Sequence, residues 1–212
     1  MLRAAVKIAD SGGIEALTMR RLGEDLGAEA MSLYYHVANK EDVLDGIAET
    51  VVMEINDVVG EIDVPSAGAQ WKAAVRCRIL AAREVLLRHP WAPGVFETRT
   101  STSFAVLRYY DGLLKLMRDG GLSYDVIHHA MHALGSRALG FAQEMFDPGG
   151  ASDEEAGAEL ARMADKIPHL VGMFMEVAHD DPDSTLGWCD DKTEFEFGLD
   201  LILDGLDRMR DR

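Results

Sequence analysis

Apolar residues recur along this chain at spacings of three and four, the period of an α-helix. Leu22 and Leu26 form one such pair, and Val51, Val52, Ile55 and Val58 continue the pattern. Trp71, Val75, Ile79, Val85 and Leu86 form a longer stripe, as do Leu107, Tyr110, Leu113, Leu114 and Met117. Near the end, Phe195, Leu199, Ile202, Leu206 and Met209 make a continuous seam. Alternating Val/Ile/Thr runs and Asn-Gly hairpin turns are absent, so the fold expected is all-α.

Breakers and caps divide the pattern. Thr18 caps a short helix that Gly27 ends, and Ala30 to His36 form a second, anchored by Leu33 and Val37. Asn39 caps a third, which ends near Gly60. Ile62 to Ala69 read as a linker, followed by a helix from Gln70 to Arg88 that Pro90 closes. Pro93 and Gly94 predict a short irregular piece. Further helices are expected over Ser103–Arg118, stopped by Gly120-Gly121, and over Ser123–Phe146. Asp147 to Gly150 break the chain, an acidic stretch follows, and residues 156–177 are weakly helical. A loop from Asp180 to Asp191 leads to a last helix from Lys192 to Arg210.

The stretch from Leu17 to Lys40 carries the sharpest chemistry. Two short helices joined by a tight Gly turn, with aromatics and a histidine on the second, have the form of a helix-turn-helix DNA reader. Lys40 sits in the first turn of the third helix. That position is poor for the helix dipole but well placed for a phosphate, which the free N–H groups of the same turn also attract.

These residues carry a resemblance. AAVKIADSGGIEALTMRRLGEDLG, AMSLYYHV and NKEDVLDGI, within Ala4 to Ile55, resemble the N-terminal domain of the TetR (tetracycline repressor) family of bacterial transcriptional regulators. The likeness makes Ala30 to His36 the recognition helix. It places Thr18, Arg20, Tyr34, Tyr35, His36 and Lys40 where the family touches phosphates or bases, and Ala30, Met31 and Ser32 where it faces base edges. Only Arg3 and Lys7 are basic ahead of this region, which leaves open the minor-groove contacts of the family's basic N-terminal arm. More loosely, LLRHPW, RDGGLS and FEFGLDLILDGL resemble pieces of the family's effector domain. The implied organisation is a helix-turn-helix domain over residues 1–50 and a helical effector-binding and dimerisation domain over residues 51–212, acting as a homodimer.

Charge complicates the DNA reading. The net value is −16, from 21 Lys/Arg and 37 Asp/Glu. Residues 1–50 hold five basic and nine acidic groups, whereas residues 123–212 hold seven and twenty, so most of the excess lies far from the reader. Exposed charges beyond ~10 Å are largely screened, so a local basic face suffices, with weak non-specific affinity. Cys77 and Cys189 form no metal or disulfide framework. No membrane span or signal peptide is evident, so a cytoplasmic location is expected.

A small-molecule effector is expected between the helices at Gln70–Arg88, Ser103–Arg118 and Ser123–Phe146. Trp71, Val75, Phe104, Leu107, Tyr110, Met117, Met131, Phe141 and Met145 are its candidate apolar wall, with Arg78, His132 and Arg137 as polar contacts. The ligand should then be largely apolar with one or two acceptors. Arg137 is solvated, paired across an interface, or turned to a ligand. The family's tetracycline–Mg²⁺ site uses a histidine near the position of Glu97, and its absence argues against tetracycline. His128 and His132, four apart, have metal-binding geometry but no identifiable third ligand, so no metal or cofactor is assigned. Ser136, His132 and Asp147 could be assembled into a triad on paper, yet no nucleophile elbow, P-loop or dinucleotide fingerprint supports an enzyme. A helical regulator acting only through protein contacts is a further alternative. Phe195, Leu199, Ile202 and Leu206, with the small residues Ala130 and Ala133, are the expected dimer interface.

Overall fold

The computed structural model describes residues 1–63, 68–99, 103–139 and 191–210, with 162, 165–169 and 171–172 between them. The described residues are helical, with no strand among them. The elements begin with α1 (Leu2–Gly12), a 3₁₀ turn at Ile14–Ala16, α2 (Met19–Leu26), α3 (Ala30–Leu33) and α4 (Lys40–Glu61). They continue with α5 (Trp71–Arg88), α6 (Ala92–Thr98), α7 (Phe104–Asp119), α8 (Tyr124–Leu139) and α9 (Asp191–Asp207).

Local chemistry sets most boundaries. The Thr18 hydroxyl accepts from the Arg21 amide at 3.1 Å and starts α2. Gly27 ends it in the left-handed region, at φ 64. Gly23 lets the next segment close over α2, since a Cβ there would lie 2.8 Å from the Ala28 carbonyl. The start of α4 is capped reciprocally: Asn39 Oδ1 accepts from the Asp42 amide at 3.0 Å, and Asp42 Oδ2 accepts from the Ala38 amide at 2.7 Å. Ser103 and Ser123 cap α7 and α8.

Three expected boundaries change. The recognition element is regular helix only over Ala30–Leu33. Tyr34 to His36 are turn, held by the His36 amide donating to the Leu33 carbonyl at 2.9 Å. The piece around Pro93 and Gly94 is helix α6, not irregular. Proline is tolerated there because a first-turn residue needs no amide hydrogen. The last helix stops at Asp207, and Arg208 to Arg210 form a turn. The expected break at Asp147, the acidic stretch and the loop from Asp180 to Asp190 lie outside the described residues, as does most of 156–177.

The chain divides into two compact units, Met1–Gly140 with Ile202–Arg212, and Phe141–Leu201. Within the first, one apolar cluster runs without interruption. It starts at Ala5 and Ile8 of α1, passes Leu22, Leu33 and the buried stripe Val43, Ile47, Val51 and Ile55 of α4, and reaches Val85, Trp91 and Val95 of α5–α6. The boundary expected at residue 50 therefore falls inside an unbroken helix whose far half is buried in the same core. The second unit includes the first part of α9, where Phe195 and Leu199 are buried and Phe197 and Leu201 exposed.

Candidate DNA-reading face and helical effector region

The reader is built by burying one residue and exposing its neighbours. Leu33 is 4% exposed and anchors α3 in the core, a burial worth about 2 kcal/mol. Around it Met31 is 72% and Tyr35 90% exposed, and Tyr34 and His36 also face outward. Such large exposed apolar groups gain nothing from an isolated chain and suit a partner surface. Thr18 and Arg20 are exposed, Lys40 partly so, and Ala30 and Ser32 are half-buried. The Ser32 hydroxyl donates to the Glu29 carbonyl at 2.7 Å, and Arg20 Nε lies 3.0 Å from Glu24 Oε1. Arg20 must exchange that weak surface pair for any phosphate.

Two polar junctions join the α5–α6 segment to these helices. At the first, His89 is buried between two carboxylates, with Nδ1 2.7 Å from Asp10 Oδ1 and Nε2 3.2 Å from Glu54 Oε2. Trp91 Nε1 donates to the same Asp10 oxygen at 2.7 Å, and Arg88 donates to Glu54 Oε1 at 2.6 Å. Burial would raise the Glu54 pKa, but the hydrogen bonds from Arg88 and His89 outweigh it and hold the carboxyl below its ordinary value. At the second, Arg99, which C-caps α6, donates to Glu41 Oε2 at 2.7 Å and Asp45 Oδ1 at 3.1 Å. These hydrogen bonds, led by Glu41, raise the Arg99 pKa. Glu41 adjoins Lys40, so α6 grips the first turn of α4 where a phosphate would dock. The sequence reading missed Asp10, Glu54, His89 and Arg99. The HPW motif offered a hint of His89, but no local spacing links Asp10 to a residue 79 positions away.

The expected effector wall is only partly assembled. A cleft of about 470 Å³ lies between α7 and α8. Tyr110, Met131 and His132 line it as expected, joined by Leu114, Tyr124 and His128. Trp71, Val75 and Met117 do not line it, because they are fully buried in the packed core. Trp71 packs on Gly120, and its Nε1 donates to Asp207 at 3.2 Å. Phe104, 79% exposed, and Leu107, 53% exposed, face outward instead. Phe141, Met145 and the Arg137 and Ser136 side chains lie outside the described residues, as does Asp147. His128 and His132 meet edge-on, 4.8 Å between ring centroids. Among the described residues no three His, Cys, Asp or Glu gather as a metal site. Arg78 lies on the opposite flank of α7, over the Tyr109 ring at 5.2 Å.

The residues of the expected dimer seam divide between buried and open positions. Phe195, Leu199 and Leu206 are buried within the single chain, Ala130 is buried as well, and Ile202 is half-buried. The outward apolar residues of α9 are Phe197 and Leu201, 62% and 59% exposed and four apart, while Ala133 is exposed on α8. No helix among the described residues is long and apolar enough to cross a membrane.

Residues 1–47 match the N-terminal domain of bacterial regulatory proteins of the tetR family, and residues 64–210 match the tetracyclin repressor-like C-terminal domain. The chain is 30% identical over 213 residues to the HTH-type transcriptional repressor DrrR1 of Streptomyces coeruleorubidus, covering 98% of this chain and 76% of that protein. An HTH-type transcriptional regulator of Saccharopolyspora erythraea is 38% identical over 100 residues, 47% of this chain and 39% of that protein. A crystal structure of a possible TetR family transcriptional regulator from Streptomyces coelicolor A3(2) superimposes with a TM-score of 0.75 at 28% identity, covering 98% and 97% of the two chains. The helix-turn-helix geometry and the two domain matches agree: the chain belongs to the TetR family of bacterial transcriptional regulators.

Proposed function

We propose that this regulator is a homodimeric, ligand-responsive repressor that leaves its operator when a small molecule enters the helical domain. The observation that carries the DNA half is the outward cluster of Met31, Tyr34, Tyr35 and His36 beside Lys40, on a scaffold pinned by Leu33. Met31 and Ser32 face base edges, and Tyr34, Tyr35, Lys40 and Arg20 contact the backbone. The effector half rests on the α5, α7 and α8 bundle, where α7 offers a cleft on one flank and the Arg78 guanidinium on the other.

The switch is a lever. Helix α4 begins at Lys40 and carries its buried stripe as far as Val59, and the α5–α6 segment holds it at two levels through His89 and Arg99. A ligand that shifts α6 or α7 tilts α4 and changes the spacing of two recognition elements. Those must match successive major grooves, ~34 Å apart in simple helix-turn-helix dimers. A preference of ~3 kcal/mol for the tilted state empties most half-occupied operators.

A fluorescence-anisotropy titration with DNA flanking the protein's own gene tests the reading. Salt-sensitive, saturable binding to one fragment over unrelated DNA is expected, and equal affinity for both would defeat it. The exposed pair on α9 supplies the dimer test. Leu201→Arg places a charge on each copy's apolar face, so sedimentation should show a folded monomer. A dimer as tight as the parent would move the interface elsewhere.

A further inference from the structure

We infer that Arg78 is the counter-ion site for an acidic group on the effector, so that the regulator responds to an organic anion such as a carboxylate. This rests on the reading above that the helical domain takes an effector.

The chain is rich in carboxylates, and several of its cations pair with them. Arg20 pairs with Glu24, Lys72 with Asp204, Arg88 with Glu54, Arg99 with Glu41 and Arg210 with Asp207. Arg78, half-buried where α5 meets α7, has no carboxylate among its partners. One terminal nitrogen reaches the Tyr109 carbonyl at 3.4 Å, the outer limit of a hydrogen bond. The guanidinium rests over the Tyr109 ring, and Nε is enclosed with no acceptor at all. The other charge that acts on it is Arg108, of the same sign. Burial accordingly lowers the Arg78 pKa and, with only a partial offset from Arg78, raises that of Tyr109.

An enclosed guanidinium edge without an acceptor is costly. It is also the edge, Nε with a neighbouring terminal nitrogen, that a carboxylate takes bidentately. The site is shaped for that cation. Gly112 of α7 leaves the backbone bare beneath it, and a Cβ there would stand 2.6 Å from the Arg78 Cζ. Val75, Ile79 and Leu113 on the same two helices are buried and apolar, so no side-chain carboxylate competes for the guanidinium from those positions. A strut holding Tyr109 is the competing role, and it makes opposite predictions.

The test uses the full-length protein without DNA, so it is independent of whether the operator reading holds. Thermal unfolding is followed for the parent, Arg78→Met and Gly112→Ala, each with benzoate, naphthoate and anthroate and with their methyl esters. Removing an unpaired cation should leave Arg78→Met melting at or above the parent, by about 2–4 °C at most. At least one carboxylate should raise the parent's Tm while its ester does not, and Arg78→Met should lose that response. Gly112→Ala should fold, alanine being the better helix former, yet respond more weakly because its methyl displaces the guanidinium. The inference is overturned if Arg78→Met melts several degrees below the parent. It is equally overturned if acids and esters act alike, or if no carboxylate stabilises the parent more than Arg78→Met. Any of these would leave operator binding intact as a separate result.

Discussion

The two junctions that tie α5–α6 to the DNA-reading helices are built on different terms. At His89 the histidine is almost wholly covered and serves two carboxylates from two helices, with Trp91 and Arg88 completing their hydrogen bonds. At Arg99 an arginine whose side chain is 14% exposed holds Glu41 and Asp45, both well exposed. Buried polar groups are costly to orphan, so the first junction should dominate stability. Pairs whose carboxylates stay in water contribute little free energy but fix geometry, so the second should matter for where Lys40 points.

The largest effect expected is from His89→Ala. It takes one hydrogen bond from each of Asp10 and Glu54, which keep Trp91 and Arg88, and opens space beside Trp91, and should lower the unfolding free energy by about 3 kcal/mol. Arg99→Ala should cost no more than about 1 kcal/mol. Urea denaturation of both variants decides this, and equal losses would erase the contrast.

Operator affinity should reverse the emphasis. Arg99→Ala frees the first turn of α4 and should weaken operator binding about tenfold, with the folded state nearly unchanged. A variant that melts like the parent and binds like it would reduce the junction to a surface ornament. Lys40→Ala should cost about fivefold on every sequence and lower the salt slope by about one, since a phosphate contact carries no base information. Met31→Ala should instead alter which sequence is preferred.

The smallest effect concerns acid. Glu54 has a lowered pKa when folded, so the stability it contributes is complete above its ordinary value of 4.5 and is lost as pH falls through the lowered one. The stability difference between the parent and Glu54→Gln should therefore be present at neutral pH and shrink on acidification. A difference that grows as pH falls would reverse the sign of the argument. Asp207 behaves alike: burial raises its pKa, while hydrogen bonds from Trp71 and Arg210 and the charge of Lys72 lower it further.

The DNA-reading face was legible because its signals are local. Thr18 caps three residues ahead, Gly27 reverses the chain at one position, and Asn39 and Asp42 cap each other across a single turn. The effector region was legible only as helices. The stripe of Trp71, Val75 and Met117 reads identically whether it lines a cavity or fills a core, and the packing of α5 against α7 filled it. The seam of α9 was legible as a helical face, but periodicity marks a buried face without saying what covers it.

Composition, caps and period thus determined an all-α chain with a DNA reader at its start, because each of those rests on interactions within one turn or on the alternation of a single helix. Tertiary structure alone decided which apolar faces close inward, which carboxylates meet His89, and that Arg78 is left without one. Those outcomes depend on groups brought together from distant segments. Asp10, Glu54 and His89 share no spacing, and only the packing of α1, α4 and the α5–α6 turn around one core makes them neighbours.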